Sequence, residues 1–156
     1  MKELKDFVSR LNGSIDFDKR YVRVKRNRYF LITREIEELT KDFFYAGIYL
    51  GKTKKDVFFP SFPLLTMIAE GNANKVVIDR RTEWLFVCGR DIFRKGILKM
   101  DGSTRKGDLT LVLNENNECL GFGKIARDLN GKKEGFAVRN IADMGDFLRR
   151  ERNNRS

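Results

Sequence analysis

Several residue types on which enzymes often depend are rare or missing in this chain. Its 156 residues include no His, 2 Cys, 2 Pro and 1 Trp. Without histidine the chain lacks the most frequent general base and the most frequent nitrogen ligand of metal ions. Cys88 and Cys119 stand alone in apolar surroundings and form no Cys-x-x-Cys motif. We therefore expect both to be reduced core residues.

Long apolar runs are also missing. No segment approaches the roughly 20 consecutive apolar residues that a membrane-spanning helix needs. Residues 1–7 alternate charged and apolar side chains and lack the apolar region of a signal peptide. We expect a soluble protein of the cytoplasm, or of the nucleolus if the source is eukaryotic, and no membrane partner.

Two glycine-containing segments resemble nucleotide-binding motifs but lack an essential part. In residues 47–53, GIYLGKT, three residues separate the glycines, whereas a P-loop has four that curl its amides around a phosphate. Residues 121–126, GFGKIA, fit a dinucleotide-binding pattern, but a polar loop follows instead of the helix that would bind pyrophosphate. We therefore predict no catalytic residue, no metal ligand and no cofactor.

Positive charge is what the chain has in excess. It contains 32 Lys and Arg against 22 Asp and Glu, a formal net charge of +10. This balance favours a polyanionic partner such as nucleic acid. Hydrophobic residues make up 41% of the chain and include 13 Phe, which is enough for a packed core.

The first 73 residues predict an antiparallel sheet with helices. Apolar residues recur at helical spacing from Leu4 to Leu11, and Asn12-Gly13 supplies a stop. Two alternating segments on either side of Arg26-Asn27 predict a hairpin. The expected strands are 21–25, 29–32, 43–50 and 57–59, and the expected helices begin near Leu4, after Thr33 and after Ser61, the last ending at Gly71.

From residue 74 onward, short apolar segments alternate with Gly, Asn and Asp, the spacing of a small barrel or sandwich. The expected strands are 75–79, 84–88, 97–100, 109–113, 119–124 and 136–139, with short helices at 90–95 and 144–150. We place a boundary near residue 73, between an N-terminal α/β domain over 1–73 and a second domain over 74–156.

Four segments of the second half occur in a characteristic order. They are Lys75-Val-Val-Ile-Asp, Gly89-Arg-Asp-Ile-Phe-Arg-Lys-Gly96-Ile, Arg105-Lys-Gly107-Asp108 and Leu120-Gly-Phe-Gly123. In the second segment we expect a helix with Ile92 and Phe93 turned inward. The order resembles the PUA domain, an RNA-binding pseudo-barrel of RNA-modifying enzymes and ribosome-assembly factors. The resemblance implies an α+β chain, with an N-terminal antiparallel sheet with helices followed by a C-terminal PUA-type β pseudo-barrel.

Further segments extend the resemblance over nearly the whole chain. They are Tyr45-Ala-Gly-Ile-Tyr-Leu-Gly-Lys, the hairpin around Arg28-Tyr-Phe-Leu-Ile-Thr, and Ala142-Asp-Met-Gly-Asp-Phe-Leu-Arg-Arg-Glu. Together they are similar to the Nip-seven family of ribosome-biogenesis proteins, and the shorter N-terminal region resembles archaeal members. The resemblance implies a non-catalytic protein of the pre-ribosomal particle that binds precursor ribosomal RNA during large-subunit assembly. U- or A/U-rich single strands are the implied targets, and the RNA exosome is an implied partner.

Basic side chains in three groups are candidates for RNA contact. The resemblance places RNA against the first helix of the barrel and its neighbouring strands, and arginine can bind phosphate and stack on bases. The candidates are Arg90, Arg94, Lys95 and Lys99; then Lys124, Arg127, Lys132 and Lys133; then Arg149, Arg150 and Arg152. A rival cluster lies on the first hairpin, where the charges could equally protect an edge strand. It comprises Lys19, Arg20, Arg23, Lys25, Arg26 and Arg28.

Two other functions stay open on this sequence. One is an accessory RNA-binding subunit of a tRNA- or rRNA-modifying enzyme, because PUA domains often accompany such enzymes. About 73 residues precede the barrel, too few for the usual catalytic domains of those enzymes. The other is a protein adaptor, if aromatic residues of the first half form an exposed patch rather than a core. Those residues are Phe43, Phe44, Tyr45, Phe58, Phe59 and Phe62.

Overall fold

The computed structural model describes residues 1–15, 21–32, 47–131 and 134–146, which form α-helices and two β-sheets. The helices are α1 (Lys2–Arg10), α2 (Phe62–Glu70) and α3 (Arg80–Val87). The first sheet contains β1 (Val22–Lys25), β2 (Arg28–Leu31), β3 (Ile48–Lys54) and β4 (Val57–Pro60). The second contains β5 (Lys75–Ile78), β6 (Ile92–Phe93), β7 (Ile97–Asp101), β8 (Leu109–Leu113), β9 (Cys119–Ile125) and β10 (Phe136–Asp143). In these residues no helix has the length and apolarity needed to span a bilayer.

The first sheet is antiparallel throughout, in the order β1-β2-β3-β4. Two of its hairpins have two-residue turns, Arg26-Asn27 and Lys55-Asp56, and all these turn residues have positive φ. Positive φ at both central residues is typical of the type I′ turn, whose twist matches that of the flanking strands. The predicted hairpin and the predicted strand at 57–59 are confirmed. The predicted helix after Thr33 and residues 43–46 lie outside the described residues.

Helices α1 and α2 pack against this sheet and follow their sequence signals. In α1, Leu4 and Phe7 are buried, and the chain leaves the helix at Asn12, whose φ is +53°. At the start of α2, the Ser61 Oγ accepts a hydrogen bond from the backbone N–H of Leu64 at 3.3 Å. This N-cap satisfies an amide that has no partner within the helix, so the residue before α2 determines where it begins. Both predicted helices are confirmed.

The second sheet curls because its two edges are joined by one short turn. Its order is β6-β10-β9-β8-β5-β7, with β5 parallel to β8 and the other pairs antiparallel. Strand β6 passes through the 3₁₀ turn Arg94–Gly96 directly into β7, the opposite edge. The Asp79 N–H donates to the Gly96 carbonyl at 3.0 Å, and the Arg94 N–H donates to the Gly135 carbonyl at 2.9 Å. These bonds hold the edges close and produce the expected pseudo-barrel.

Strand β8 lies between two hydrophobic cores, and all five of its residues are buried. Leu109 and Leu111 belong to a core shared with Leu4 and Phe7 of α1. Val112 belongs to the core inside the barrel. A strand that is buried on both faces has no polar side to alternate with, which explains its apolar sequence. The N-terminal half therefore covers part of the outer face of the barrel.

Two secondary-structure predictions in the second half are wrong. Residues 84–88 were expected to form a strand and 90–95 a helix, but the helix is Arg80–Val87, and Ile92–Phe93 is a strand. The Asp79 side chain caps this helix by accepting from the Thr82 N–H at 2.7 Å. The apolar run 84–87 belongs to the helix, whose cap the pattern of apolar residues does not reveal. Strand β6 leaves Phe93 43% exposed, so the expected inward position of Phe93 is also wrong.

The remaining strand predictions at 75–79, 97–100, 109–113, 119–124 and 136–139 are confirmed, with β10 longer than expected. Both cysteines are free thiols, but only Cys119 is buried, and Cys88 is exposed near the end of α3. The expectation of a core position is therefore wrong for Cys88. Burial raises the pKa of the Cys119 thiol to about 11. Of the predicted helix 144–150, residues 144–146 are helical and the others lie outside the described residues.

Several aromatic residues of the first half pack together in its core. The ring of Phe58 lies 5.5 Å from that of Phe7 and 5.4 Å from that of Tyr29. Phe62 is partly buried against the same core, whereas Phe59 is 42% exposed. A core rather than an exposed patch is therefore confirmed for Phe58 and Phe62, and a core position is wrong for Phe59. Phe43, Phe44 and Tyr45 lie outside the described residues.

Candidate nucleic-acid interface

The residues of the first predicted basic group have different environments. Arg90, Lys95 and Lys99 are exposed, but Arg94 is half-buried. The Arg94 guanidinium donates from Nε to the Leu129 carbonyl at 2.9 Å and from Nη1 to the Ile97 carbonyl at 3.5 Å. Arg94 therefore holds the loop between β9 and β10 against the 3₁₀ turn.

The second group is divided in a similar way. The Arg127 guanidinium donates from Nη1 to the Glu134 carbonyl, and Gly135 leaves room beside it. At Gly135 a Cβ would lie 2.5 Å from the Arg127 Nη2, so a larger residue would displace the guanidinium. Lys124 is exposed on β9. Lys132, Lys133, Arg149, Arg150 and Arg152 lie outside the described residues.

Lys124 has a cationic neighbour that sequence analysis missed. Arg139 of β10 lies directly opposite Lys124 in the antiparallel pair. Val138 pairs with both Ile125 and Ile92, and these three side chains are buried inside the barrel. Because neighbouring side chains on a strand alternate between faces, Arg139 and Lys124 point outward. Neither forms an ion pair with a residue that the structure describes.

Two phenylalanine rings lie on the same outer face. Phe136 of β10 pairs with Phe93 of β6, and their ring centroids are 4.3 Å apart at an interplanar angle of 31°. Phe93 is 43% and Phe136 53% exposed. We call the four residues Phe93, Lys124, Phe136 and Arg139 the outer strip. Simple alternation would place Phe136 and Arg139, three residues apart, on opposite faces of β10. The register irregularity between Phe136 and Val138 brings both side chains to the outer face, and sequence spacing does not reveal it.

The outer strip begins where the N-terminal half stops covering the barrel. Leu109 of β8 also pairs with Lys124, on the side away from Arg139. Leu109 is 3% exposed and belongs to the core shared with α1. One outer surface therefore runs from a covered part at β8 to an open part at β9, β10 and β6.

A groove with a volume of about 710 Å³ lies elsewhere, between α2, β5, β7 and the β8–β9 hairpin. It contains the predicted residue Lys99 together with acidic side chains. Its charged lining residues are Glu70, Lys75, Lys99, Asp101 and Glu118. The Lys75 Nζ donates to the Ala69 carbonyl at 2.6 Å. Because both signs of charge line the groove, it suits a polyanion less well than the outer strip.

Among the described residues, no cluster of three or more Cys, Asp or Glu is placed to hold a metal ion.

Several curated proteins are similar in sequence to this chain. A UPF0113 protein of Archaeoglobus fulgidus is 27% identical over 112 residues, which are 69% of this chain and 63% of that protein. The match thus spans less than two thirds of that relative. The 60S ribosome subunit biogenesis protein NIP7 of Saccharomyces cerevisiae is 26% identical over 139 residues, 83% of this chain and 77% of the yeast protein. A probable tRNA pseudouridine synthase B of Thermoplasma volcanium is 37% identical over 82 residues, 53% of this chain but 23% of the synthase.

Solved structures share the fold. A conserved PUA domain protein from Thermoplasma acidophilum superposes with a TM-score of 0.61 at 24% identity, over 96% of this chain and 94% of that protein. A PUA domain from Aeropyrum pernix K1 superposes with a TM-score of 0.62 at 17% identity, over 94% and 84% of the two chains. These superpositions confirm the expected α+β fold with a PUA-type pseudo-barrel.

The family follows from the second half of the chain. A sequence model described as the UPF0113 PUA domain matches residues 74–152. The similarity to the yeast and Archaeoglobus proteins agrees with the expected resemblance to the Nip-seven family. Because the match covers about half of the chain and the fold agrees with it, this chain belongs to the UPF0113 PUA domain family.

Proposed function

We propose that this chain is a non-catalytic RNA-binding protein of ribosome biogenesis and that its outer strip contacts the RNA. The observation that carries the proposal is the exposed pair Lys124 and Arg139 beside the exposed ring pair Phe93 and Phe136. Like charges directly opposite each other on neighbouring strands destabilise a sheet. A polyanion bound across them would remove that cost.

The two kinds of side chain in the outer strip suit the two parts of a nucleotide. Lys124 provides a point charge for phosphate, and Arg139 provides a planar fork that can bind phosphate through two hydrogen bonds. A base that is not paired can stack on an exposed aromatic ring, which contributes about 1–3 kcal/mol per base. Bases inside a duplex are already stacked, so the combination favours single-stranded RNA.

The predicted basic residues take different roles in this proposal. Arg90, Lys95 and Lys99 are exposed and remain proposed RNA contacts. Arg94 and Arg127 act indirectly, by holding the β9–β10 loop beside the outer strip. The other proposed contacts are Lys132, Lys133, Arg149, Arg150 and Arg152.

The process is proposed from the relatives. The yeast protein is named for biogenesis of the 60S ribosome subunit. We propose that this chain likewise acts on precursor rRNA in a pre-ribosomal particle, at U- or A/U-rich single strands, with the exosome as a further partner. It would act where ribosomes assemble, in the cytoplasm or, in a eukaryote, the nucleolus. The boundary near residue 73 belongs to the same proposal, with residues 74–156 as the RNA-binding domain.

Removing both cations of the outer strip tests the proposal. In Lys124→Gln/Arg139→Gln two phosphate contacts are lost. The slope of log affinity against log salt concentration should therefore become shallower by about 1.4, or about 0.7 per contact on a single strand. The measurement is the fluorescence anisotropy of a labelled oligouridylate, and of an RNA duplex of equal length, across a salt series.

The matched control is Lys2→Gln/Lys5→Gln, which removes the same charge from exposed positions on α1. We expect this control to keep the wild-type slope. Equal slopes for the two double variants would mean that the outer strip is not the RNA site. Absence of binding by the wild-type protein at low salt would contradict RNA binding itself.

A second candidate function is an accessory RNA-binding subunit of a tRNA- or rRNA-modifying enzyme. The 37% identity to part of a probable tRNA pseudouridine synthase favours it. The matched part is 23% of the synthase, so the similarity is no evidence that this chain has the activity of that enzyme. Co-purification of the tagged protein would separate the two functions, because an assembly factor should sediment with large-subunit precursors and an accessory subunit with a modifying enzyme.

A further inference from the structure

The two edges of the first sheet differ in charge. Strand β1, at one edge, has the sequence VRVK, and strand β4, at the other edge, has the sequence VFFP. Charged side chains on an edge strand discourage pairing with other chains, and β1 carries two of them. Strand β4 carries none, in a chain of which 35% of the residues are charged. Among the described residues β4 has a strand neighbour on its β3 side alone, so β4 is the edge that can accept a further strand.

The backbone of Phe58 points toward the open side of β4. The two-residue turn between β3 and β4 makes Lys54 and Val57 a hydrogen-bonded pair, and such pairs alternate with non-bonded ones along an antiparallel ladder. Phe58 and Thr53 form the next pair, and the Thr53 N–H donates to the Asn27 carbonyl at 2.8 Å, on the β2 side. The N–H and C=O of Phe58 therefore face away from β3.

Two apolar side chains flank this open backbone on the outer face of the sheet. Val57 is 56% and Phe59 42% exposed. Because neighbouring side chains on a strand alternate between faces, Phe58 points to the opposite face, where its ring packs against Phe7 and Tyr29. The core thus holds β4 in place, and a partner does not have to order this strand before binding it.

Positive charge surrounds the two exposed apolar side chains. Lys54 lies opposite Val57, and Lys52 lies opposite Phe59, in the pairing of β3 with β4. Both lysines are exposed and form no ion pair in the described part of the chain. The turn Lys55-Asp56 adds one charge of each sign. A second copy of this chain would bring like charges together, so the charge favours an acidic partner over self-association.

We propose that β4 is a docking edge for an extended, acidic segment of a partner protein, which adds to the first sheet as a strand antiparallel to β4. The partner residue opposite Phe58 exchanges two backbone hydrogen bonds with it. The residues before and after lie on the outer face, an apolar one beside Phe59 and an acidic one beside Val57, within reach of Lys54. The recognised pattern is therefore apolar-x-acidic along the partner chain. This inference goes beyond the proposed RNA binding and does not depend on it.

The open backbone of Phe58 favours a polypeptide over RNA at this edge. A peptide backbone offers a donor and an acceptor side by side, as pairing with the N–H and C=O of one residue requires. Strand β4 is short, and Pro60 has no N–H to donate, so the backbone hydrogen bonds are few. Contacts of Val57 and Phe59 with cross-strand neighbours must supply much of the affinity, so we expect a weak and reversible complex.

A labelled peptide tests the docking edge on the full-length protein. The probe is a fluorescein-labelled peptide of two Val-Thr-Glu-Thr units, which is long enough for one strand of about 5–6 residues. We expect binding in an anisotropy titration, together with slower hydrogen exchange of the Phe58 amide in NMR spectra. The Thr53 amide already has a partner in β2, so its exchange should not change. The same peptide with N-methylated Thr residues should not bind, because it cannot donate to the Phe58 carbonyl.

Substitutions at the two edges provide a matched comparison. Val57→Asp places a negative charge beside the peptide glutamate and should weaken binding at least about fivefold. The control Val24→Asp changes an exposed valine of the opposite edge, β1, and should bind like the wild type. Lys54→Glu should weaken binding of the glutamate peptide about fivefold and should prefer a peptide with Lys in place of Glu. Thermal unfolding of each variant checks that the fold is retained.

Several outcomes would overturn the inference. They are absence of peptide binding at about 1 mM, equal binding of the N-methylated peptide, and equal effects of Val57→Asp and Val24→Asp. Slower exchange of the Phe58 amide with an oligouridylate, but not with the peptide, would assign the edge to RNA. A concentration-dependent dimer that Val57→Asp abolishes would assign it to a second copy. The outer-strip variant Lys124→Gln/Arg139→Gln should bind the peptide like the wild type, so failure of the proposed RNA function leaves this result unchanged.

Discussion

Both sheets of this protein place cations directly opposite one another on neighbouring strands. In the first sheet Lys25 lies opposite Arg28, and Arg28 lies opposite Lys52. In the second sheet Lys124 lies opposite Arg139. Arg23, Lys25, Arg26 and Arg28 of the first hairpin take part in hydrogen bonds, ion pairs or other contacts within the chain, and Lys19 and Arg20 lie outside the described residues. Lys124 and Arg139 form no ion pair with any residue in the described part of the chain.

Two groups of contacting rings, one from each sheet, differ in the same way. Phe58 in the first sheet packs against Phe7 and Tyr29 in the core. Phe93 and Phe136 in the second sheet stack on each other at the surface. The number of basic or aromatic residues therefore does not locate an interface. The informative property is whether these side chains already have partners within the protein.

The largest expected effect concerns the core that joins the two sheets. Phe122 of β9 is 5% exposed, and its ring lies 5.3 Å from that of Phe7 in α1. We expect Phe122→Ala to lower the free energy of unfolding by about 3–5 kcal/mol, because it leaves a cavity in a shared core. Urea unfolding followed by far-UV and near-UV circular dichroism would measure this.

Because the core is shared, the two signals should give one coincident transition in both the wild type and the Phe122→Ala variant. Separate transitions in the wild type would mean that unfolding passes through a populated intermediate and is not a single cooperative event. A matched control is Phe136→Ala, which removes an exposed ring and should change stability far less.

An intermediate change in the free energy of unfolding is expected from the buried thiol of Cys119, which lies in the same shared core. The pKa of Cys119 is raised by burial from 9.0 to about 11. Between these pH values the unfolded chain loses the thiol proton and the folded protein keeps it. The contribution of this group to stability is therefore complete below about pH 9 and falls by roughly 2–3 kcal/mol as the pH rises to 11.

Urea unfolding at stepped pH would detect this loss, which should be smaller in Cys119→Ala and unchanged in Cys88→Ala. Cys88 is exposed, so its replacement is the matched control. The pKa values of Tyr29 and Tyr49 are raised mainly by burial, so these two residues contribute the same loss of stability at alkaline pH in every variant. Identical pH profiles for the two cysteine variants would contradict the assigned burial of Cys119.

The smallest effect is expected from the cations of the first sheet. Lys25→Gln/Arg28→Gln should change RNA affinity by no more than about twofold, because these side chains already have contacts within the chain. Its stability should change by less than about 1 kcal/mol, as is usual for exposed charges. The anisotropy assay with the oligouridylate measures the first quantity. A loss of RNA affinity as large as that of Lys124→Gln/Arg139→Gln would favour the hairpin of the first sheet, and not the outer strip, as the RNA site.

Local signals allowed much of the fold to be predicted. The cap at Ser61, the stop at Asn12 and the turn at Arg26-Asn27 each act on residues only a few positions away. The resemblance to the PUA domain supplied the closed arrangement of the later strands. The main error fell at 84–95, where an apolar run suited a strand and the cap at Asp79 favoured a helix. The segment forms a helix, and Asp79 stabilises its start by accepting a hydrogen bond from an amide that has no partner within the helix.

The sequence by itself determined the excess of positive charge, the periodicity of most elements and the likeness to an RNA-binding family. Only the tertiary structure decided which charged and aromatic residues share an open surface. Lys124 meets Arg139 through the pairing of β9 with β10, and Phe93 meets Phe136 through the pairing of β6 with β10. The neighbouring outer face at Leu109 is closed by α1, from the far end of the chain. Caps and turns are local interactions, whereas exposure depends on strand register and on packing between residues far apart in sequence.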